Sequence, residues 1–394
     1  MILSRILDEV MDQGGDFEFL DFEVGRRKDD YSHAVLKVTA RNEEHLASIL
    51  GELYRLGATT PEEPEAEYSP APMDRVLPSD FYSTTNHPTS INLGGTWVEV
   101  EDLMMDKQIV IDPAARRARC WPIGLIKKGD LIVTGEWGLR IKPPERPREG
   151  VGVFEFMGSE VSSERPSLSL VRKIAGEIVE TIREGGRIAV VAGPAVIHTG
   201  AAPSLAAIIR GGYVHVLLAG NALAVHDVEY ALYGTSLGVE LDNGASRREH
   251  RNHIAAINEV NRAGSIRALI EEGRLRSGIF YELEKRGVPY ALAGSIRDDG
   301  PLPEVIRDTA EAQGRYKELV RGSNFVLMLA STLHSIAVGN MISSRVKVVC
   351  VDINPAVVTK LSDRGTSHAA GVVSDVGAFL PLLAGELLKS QPKR

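Results

Sequence analysis

Six short apolar runs recur between residues 187 and 373, at 187–192, 213–219, 288–293, 324–330, 346–351 and 370–373, each separated from the next by a stretch with helical character. Continuous runs of Val, Ile, Leu and Ala, rather than alternating ones, are what strands buried on both faces of a parallel sheet require. Strand and helix in turn are the pattern of βαβ units. The helices expected in the intervals include long ones near residues 250–286. On such a sheet ligands sit beyond the C-terminal ends of the strands, where helix N-termini point their N–H groups into a crevice.

The residues that follow each run are therefore the informative ones. They read "AGPAVIHTGAAPSL", "AGNALAVHDVEYALYG", "GSIRDDGPLPEV", "ASTLHSIAVGN", "DINP" and "SDVGAF" in chain order. One loop of small and polar residues is only a turn; six on one edge point to a nucleotide-type ligand. Gly-x-Gly occurs only at Gly150 and Gly152, with no third glycine, so the dinucleotide fingerprint is absent. Phosphates would then be held by backbone N–H groups of the Ser331-Thr332-Leu333 turn and of the turns at Gly193 and Gly220. Asp352 ends a run, where a carboxylate can accept hydrogen bonds from ribose hydroxyls; the alternative is an Asx-type turn or a cap before Pro355. Asp299 and Asp375 carry the same two readings. His226 and His334 each stand at a helix start, as neutral acid/base groups or as simple helix-start contacts. There is no His-x-x-x-His pair, cysteine pair or acidic calcium-type loop, so no metal is expected.

The first part of the chain has a different texture. "FEFLDFEVG" and "SHAVLKVTA" read as strands around the polar turn that holds Arg26-Arg27-Lys28, and a helix with Asn42 as its N-cap follows. Five prolines in residues 61–80 argue against regular structure there. Short β-like runs then continue to about residue 142, a β-rich section read as barrel-like. "KPPERPREG" is the best boundary, giving an α+β and β-rich domain over 1–145 and a Rossmann-like domain over 146–394.

A net charge of -8 without basic–aromatic interleaving argues against nucleic acid. Two cysteines far apart offer no disulfide framework, no secretory signal is recognisable, and no apolar stretch reaches membrane-spanning length. The expected location is cytoplasmic, and a large α/β chain of this kind is expected to be a homo-oligomer.

The segments "TTNHPT" (84–89), "GGTWVEVEDLMMD" (94–106), "IKKGDLIVTGEWGLRIKP" (126–143), "LLAGNALAVHDVEYALYGTSLG" and "VVCVDINP" resemble the archaeal-type ornithine cyclodeaminases. In that family the N-terminal part is the conserved region named after the bifunctional lysine-oxoglutarate reductase/saccharopine dehydrogenase. The resemblance extends over essentially the whole chain. It implies a C-terminal NAD-binding domain of deoxyhypusine-synthase-like fold. The family's NAD contacts would fall on Asn221, Ala222, Asp299, Ser331, Thr332, Leu333, His334, Asp352, Asn354, Asp375 and Val376.

The activity implied is conversion of L-ornithine to L-proline and ammonia. Hydride leaves Cα for NAD, the δ-amine attacks the imine, ammonia departs and the cyclic imine takes the hydride back, so the cofactor must stay bound in a dry site. Asn86, His87 and Arg140 are candidates for substrate contacts from an N-terminal domain acting as a lid. No pattern assigns the general base, for which His87, His226 and Asp227 are weak candidates. The competing readings are an NAD-dependent dehydrogenase of a related amino acid and an NAD-binding amino-acid sensor without turnover.

Overall fold

The computed structural model describes residues 2–25, 32–60, 64–85, 87–142, 168–237, 239–240, 251–343, 345–357, 360 and 369–389. The chain divides into two compact units, Met1–Val151 and Gly152–Arg394.

In the first unit, helices Ile2–Asp12 and Glu43–Arg55 pack on a hairpin of β1 (Asp16–Glu23) and β2 (His33–Thr39). Ile6, Val10, Ile49 and Leu53 are its core, against Phe17, Leu36 and Val38. Asn42 accepts from the His45 N–H at 2.8 Å, the expected N-cap. The turn holding Arg26-Arg27-Lys28 lies outside the described residues.

Seven further strands form one sheet: β3 (Glu67–Pro70), β4 (Thr89–Leu93), β5 (Thr96–Glu101), β6 (Gln108–Asp112), β7 (Arg117–Trp121), β8 (Leu131–Thr134) and β9 (Leu139–Ile141). Their order is β3-β8-β6-β7-β5-β4-β9, antiparallel except where β5 meets β7. Backbone bonds join the two ends of this order, Ala66 N–H donating to Asn92 O at 2.9 Å and Asn92 N–H to Gly138 O at 2.8 Å, in keeping with the barrel considered from sequence. β3 corrects the expectation of no regular structure among the prolines of 61–80. It is an edge strand ending at Pro70, where a missing N–H is tolerated.

The second unit is a parallel sheet of β10 (Arg187–Ala192), β11 (Val216–Gly220), β14 (Tyr290–Ala293), β15 (Val305–Ile306), β16 (Ser323–Leu329), β17 (Lys347–Asp352) and β18 (Ala369–Val373); a separate two-stranded ladder pairs β12 (Thr235–Ser236) with β13 (Val239–Glu240). The order is β15-β14-β11-β10-β16-β17-β18, every pair parallel. The chain starts at the centre, winds out to one edge and returns to wind out to the other, the topology of doubly wound nucleotide-binding sheets. Side chains alternate faces along each strand. Ala189, Val191, Val216, Leu218, Val326, Met328, Val348 and Cys350 form one core layer with Tyr316, Leu319 and Val320 of the Thr309–Val320 helix. At full burial each of the larger aliphatic side chains contributes about 1.5–3 kcal/mol.

The long helices expected near 250–286 are three shorter ones, Asn252–Ala263, Ile266–Glu271 and Ile279–Arg286. Gly264 ends the first in the left-handed region at φ 90°, and Ser265 caps the second by accepting from Ala268 N–H at 2.9 Å. Gly278, just before the third, supplies no side-chain cap. Asp227 of the Asn221–Tyr233 helix does so instead: its two carboxylate oxygens accept from the Ile279 and Phe280 N–H groups, each at 2.9 Å. A residue considered as a catalytic candidate is thus engaged in holding two helices together.

Burial lifts the Asp227 carboxyl to about 7, against the two N–H groups that hold it down. Between its ordinary value and about 7 the folded protein keeps a proton that the unfolded chain releases. Its contribution to stability is therefore full below about pH 4 and is lost as pH rises through about 7. Asp227→Ala is expected to lower unfolding stability by about 1–3 kcal/mol. Urea unfolding should show a wider gap between wild type and variant at about pH 5 than at about pH 8.

Candidate functional site

β10 and β16 are neighbours whose chains leave the sheet in opposite directions, so the space beyond their C-terminal ends is open to a ligand. Their exits touch backbone to backbone. Gly193 N–H donates to Leu329 O and Ala330 N–H to Val351 O, both at 2.9 Å, and a Cβ at Gly193 would lie 2.0 Å from Ala330 O. Ala330 itself has φ 46°, a left-handed conformation that costs a non-glycine residue about 1–3 kcal/mol and is concentrated at functional sites.

The Thr332–Gly339 helix starts directly after this turn. Its N-cap, Ser331, makes no side-chain capping bond, and neither does Gly220 before the Asn221–Tyr233 helix. Two helix starts on adjoining loops thus keep first-turn N–H groups for another acceptor. Ser335, 1% exposed, has a buried hydroxyl with no hydrogen-bond partner among the described residues. A bare backbone, uncapped helix starts and an orphaned hydroxyl fit a phosphate-bearing group.

His334 crosses this cradle. The buried Tyr316 hydroxyl donates to Ala219 O at 2.5 Å and lies 3.2 Å from His334 Nδ1. Burial pushes that phenol far above its ordinary range, so it keeps its proton. Its one hydrogen is used on Ala219, and Nδ1 must be the donor to the phenol oxygen. The Nε2 lone pair then faces Gly220, where a Cβ would lie 2.7 Å away. Burial also lowers the His334 pKa, which favours a neutral ring.

The other residues singled out on this edge are placed as follows. Asp352 is buried, and its Oδ1 accepts from Asn354 N–H at 2.8 Å; this is the Asx-type turn, and it occupies one carboxylate oxygen. Burial raises its pKa, opposed by that N–H. Asn354 in turn accepts from Ala356 N–H at 3.0 Å. Asp375 accepts from Gly377 N–H at 2.8 Å as the cap of the helix that begins at Val376. The Asn221 amide ties its own strand end to the next loop, accepting from Leu302 N–H at 3.1 Å and donating to Gly300 O at 3.3 Å. Ala222 is half-buried beside it, while Thr332 and Leu333 are exposed. Asp299 Oδ2 lies 3.5 Å from His253 Nε2.

A second feature of this edge was only partly visible in the sequence. His198, His226 and His253 lie in a row, with ring centroids 4.8 and 6.4 Å apart and the rings tilted by 60° and 45°. Fully buried Glu229 sits 2.8 Å from His226 Nδ1, and Ser236 Oγ 2.7 Å from His198 Nδ1. Glu229 was not singled out, although its spacing of three residues from His226 on a helix signals the contact. Burial first, then the neighbouring His226, push His198 down to about 4.

In the first unit, His87 lies in a local turn: its N–H donates to Thr85 Oγ1 at 3.2 Å and its carbonyl accepts from Thr89 Oγ1 at 2.8 Å. Arg140, on β9, lays its guanidinium over the Trp97 ring at 3.9 Å. Asn86 lies outside the described residues. Among the described residues no group of three or more His, Cys, Asp or Glu is placed to hold a metal ion, and no helix is long and apolar enough to cross a membrane.

Three family descriptions match the chain in succession: the LOR/SDH bifunctional enzyme conserved region over residues 1–87, the arginine dihydrolase ArgZ-like C-terminal first region over 88–171, and the ArgZ-like C-terminal Rossmann fold over 172–383. An ornithine cyclodeaminase of Methanothermobacter thermautotrophicus is 60% identical over 390 residues, 99% of this chain and 95% of that protein. Another, of Methanocaldococcus jannaschii, is 55% identical over 396 residues, 99% of this chain and 93% of that protein. The crystal structure of the ternary complex of AgrE with ornithine and NAD+ matches with a TM-score of 0.85 at 42% identity. That match covers 98% of this chain and 56% of AgrE, so the chain spans little more than half of that longer protein.

Gly193→Ala should force the ends of β10 and β16 apart, because the added methyl meets backbone and not a movable side chain. A loss of about 1–3 kcal/mol in urea unfolding is expected, together with weaker binding of any ligand held at the turn, read by isothermal titration with NAD.

Proposed function

This chain belongs to the archaeal-type ornithine cyclodeaminase family, the ArgZ-like proteins with an LOR/SDH conserved region, and on that premise we propose that it is an NAD-dependent ornithine cyclodeaminase converting L-ornithine to L-proline and ammonia. The observation that carries this reading is the 60% identity to a cyclodeaminase over 99% of the chain. The site fits it independently, since the open end of the sheet between β10 and β16 has the bare backbone that a dinucleotide needs.

When bound, NAD supplies a hydride acceptor that takes hydride from the substrate's Cα and gives it back, leaving no net redox change. The N–H groups of the turns at Gly193, Gly220 and Ser331-Thr332-Leu333 would hold its phosphates, with His334 alongside. Asp352 would accept from a ribose through the carboxylate oxygen that its own turn leaves over, flanked by Asn354, Asp375 and Val376. Asn221, Ala222 and Asp299 would border the opposite arm. In the first unit, Arg140, held flat by Trp97, can pair with a carboxylate, and Asn86 and His87 are proposed as substrate contacts on the same grounds as in the sequence. A homo-oligomer in the cytoplasm is part of the same proposal, on general grounds.

With L-ornithine and NAD, the purified protein should form proline and ammonia in equal amounts while NADH absorbance stays flat. A steady rise in NADH would mean a net dehydrogenase, and binding without turnover a sensor. Asp352→Asn keeps the acceptor for Asn354 N–H but loses the anionic charge. NAD affinity is expected to fall on the order of 10- to 100-fold, and unchanged NAD content after purification would end the assignment of Asp352.

A further inference from the structure

The row of imidazoles lies where the reacting arm of the ligand must lie. With a ribose at the end of β17 and phosphates at the β10–β16 opening, the remaining arm extends over β11 and β14. β17 and β11 are three strand spacings apart, about 14 Å. His226 follows β11, and Asp299, 3.5 Å from His253, follows β14.

Of the three histidines, His226 is the one whose tautomer is set by a carboxylate. Glu229 is fully buried and accepts from three sides: His226 Nδ1 at 2.8 Å and Leu237 N–H at 3.1 Å on Oε2, and Thr235 Oγ1 at 3.0 Å on Oε1. Thr235 is held in turn by Asn252 Nδ2 at 3.0 Å. A carboxylate gripped this way keeps the proton of the neutral imidazole on Nδ1 and leaves Nε2 with a lone pair. Turning the ring over would take from the buried Oε2 one of its two donors.

We propose that His226 is the proton-transfer residue of the cyclisation and that Glu229 is its positioning residue. Nε2 accepts a proton from the α-ammonium group of ornithine, breaking that N–H bond and leaving its electron pair on nitrogen. The same proton returns to that nitrogen as it departs, re-forming the N–H bond, and the imidazole ends as it began. Neither transfer is a redox step. The δ-ammonium gives one proton to solvent before its nitrogen attacks and the ring nitrogen gives a second as ammonia is expelled; the ring amine of proline and the released ammonia each take one back, so the overall reaction releases no net proton at neutral pH. This assignment rests on the cyclodeaminase reading.

His226→Asn tests it while sparing the fold, because the asparagine amide can stand where Nδ1–H stood and keep Glu229 satisfied. Turnover should fall on the order of 10²- to 10⁴-fold, with the KM for ornithine within roughly threefold and the NAD content of the purified protein unchanged. His226→Ala should lose turnover similarly and regain part of it when imidazole is added. Glu229→Gln should lower kcat and leave NAD content as it was. Turnover of His226→Asn within about threefold of wild type, loss of NAD in step with activity, or no rescue of His226→Ala by imidazole would each overturn the assignment. In the unmutated protein carrying nitrogen-labelled histidine, ornithine added with NAD should shift the His226 Nε2 resonance; an unmoved resonance overturns the proposal whether or not the variants fold. If wild type forms no proline at all, it is the cyclodeaminase reading that fails, and this assignment goes with it.

Discussion

The contact between Gly193 and the Ala330 carbonyl governs the second unit. β10 opens the sheet and β16 returns beside it, so the two strands leave in opposite directions and no connection can cover the gap between them. What lines that gap is backbone, because the strands approach too closely for a side chain. A single glycine-rich loop usually does this in dinucleotide folds. Here the bare surface is assembled from two strands, with Gly193 on one and a strained Ala330 on the other, and a third strand adds Gly220. The missing fingerprint therefore does not mean a missing function: the physical need is exposed N–H groups beside a phosphate, and sequence order is only one way to meet it.

What could be read from the sequence depended on how local its cause was. Strands buried on both faces announce themselves as continuous apolar runs, and all six expected ones are present with ends shifted by a few residues. β15, with two residues, is too short to carry a period. The long helices expected near 250–286 had the right amphipathic texture, but Gly264, Gly273 and Gly278 interrupt them, two at left-handed turns and one just ahead of the Ile279–Arg286 helix. Side-chain roles were harder. Asp227 stands beside His226 in the chain and looked like chemistry, yet its partners, Ile279 and Phe280, are distant in sequence and only the fold brings them together. Glu229 would ordinarily read as a helix surface charge; its spacing from His226 hints at the contact, and its burial shows the importance. Asp352 had two readings, and the turn it makes leaves room for the other, because a carboxylate has two oxygens.

The polar network around His226 also answers a problem specific to a doubly cationic substrate. A row of three imidazoles that all took up protons would repel ornithine's ammonium groups in a region where little water screens the charge. The packing works against that. His198 is held down to about 4 by burial and by its neighbour, so it stays neutral at physiological pH. Glu229 and Asp299 beside the row are acidic, and a carboxylate there favours a cation close by. Burying Glu229 would by itself be costly. Three hydrogen-bond donors offset that cost, and two of them, Leu237 N–H and Thr235 Oγ1, come from the short segment that follows the same helix. The helix that carries His226 thus also carries its partner and leads directly into that partner's support, which lets a dry site hold a polar group in one orientation without importing water that would hydrolyse an imine.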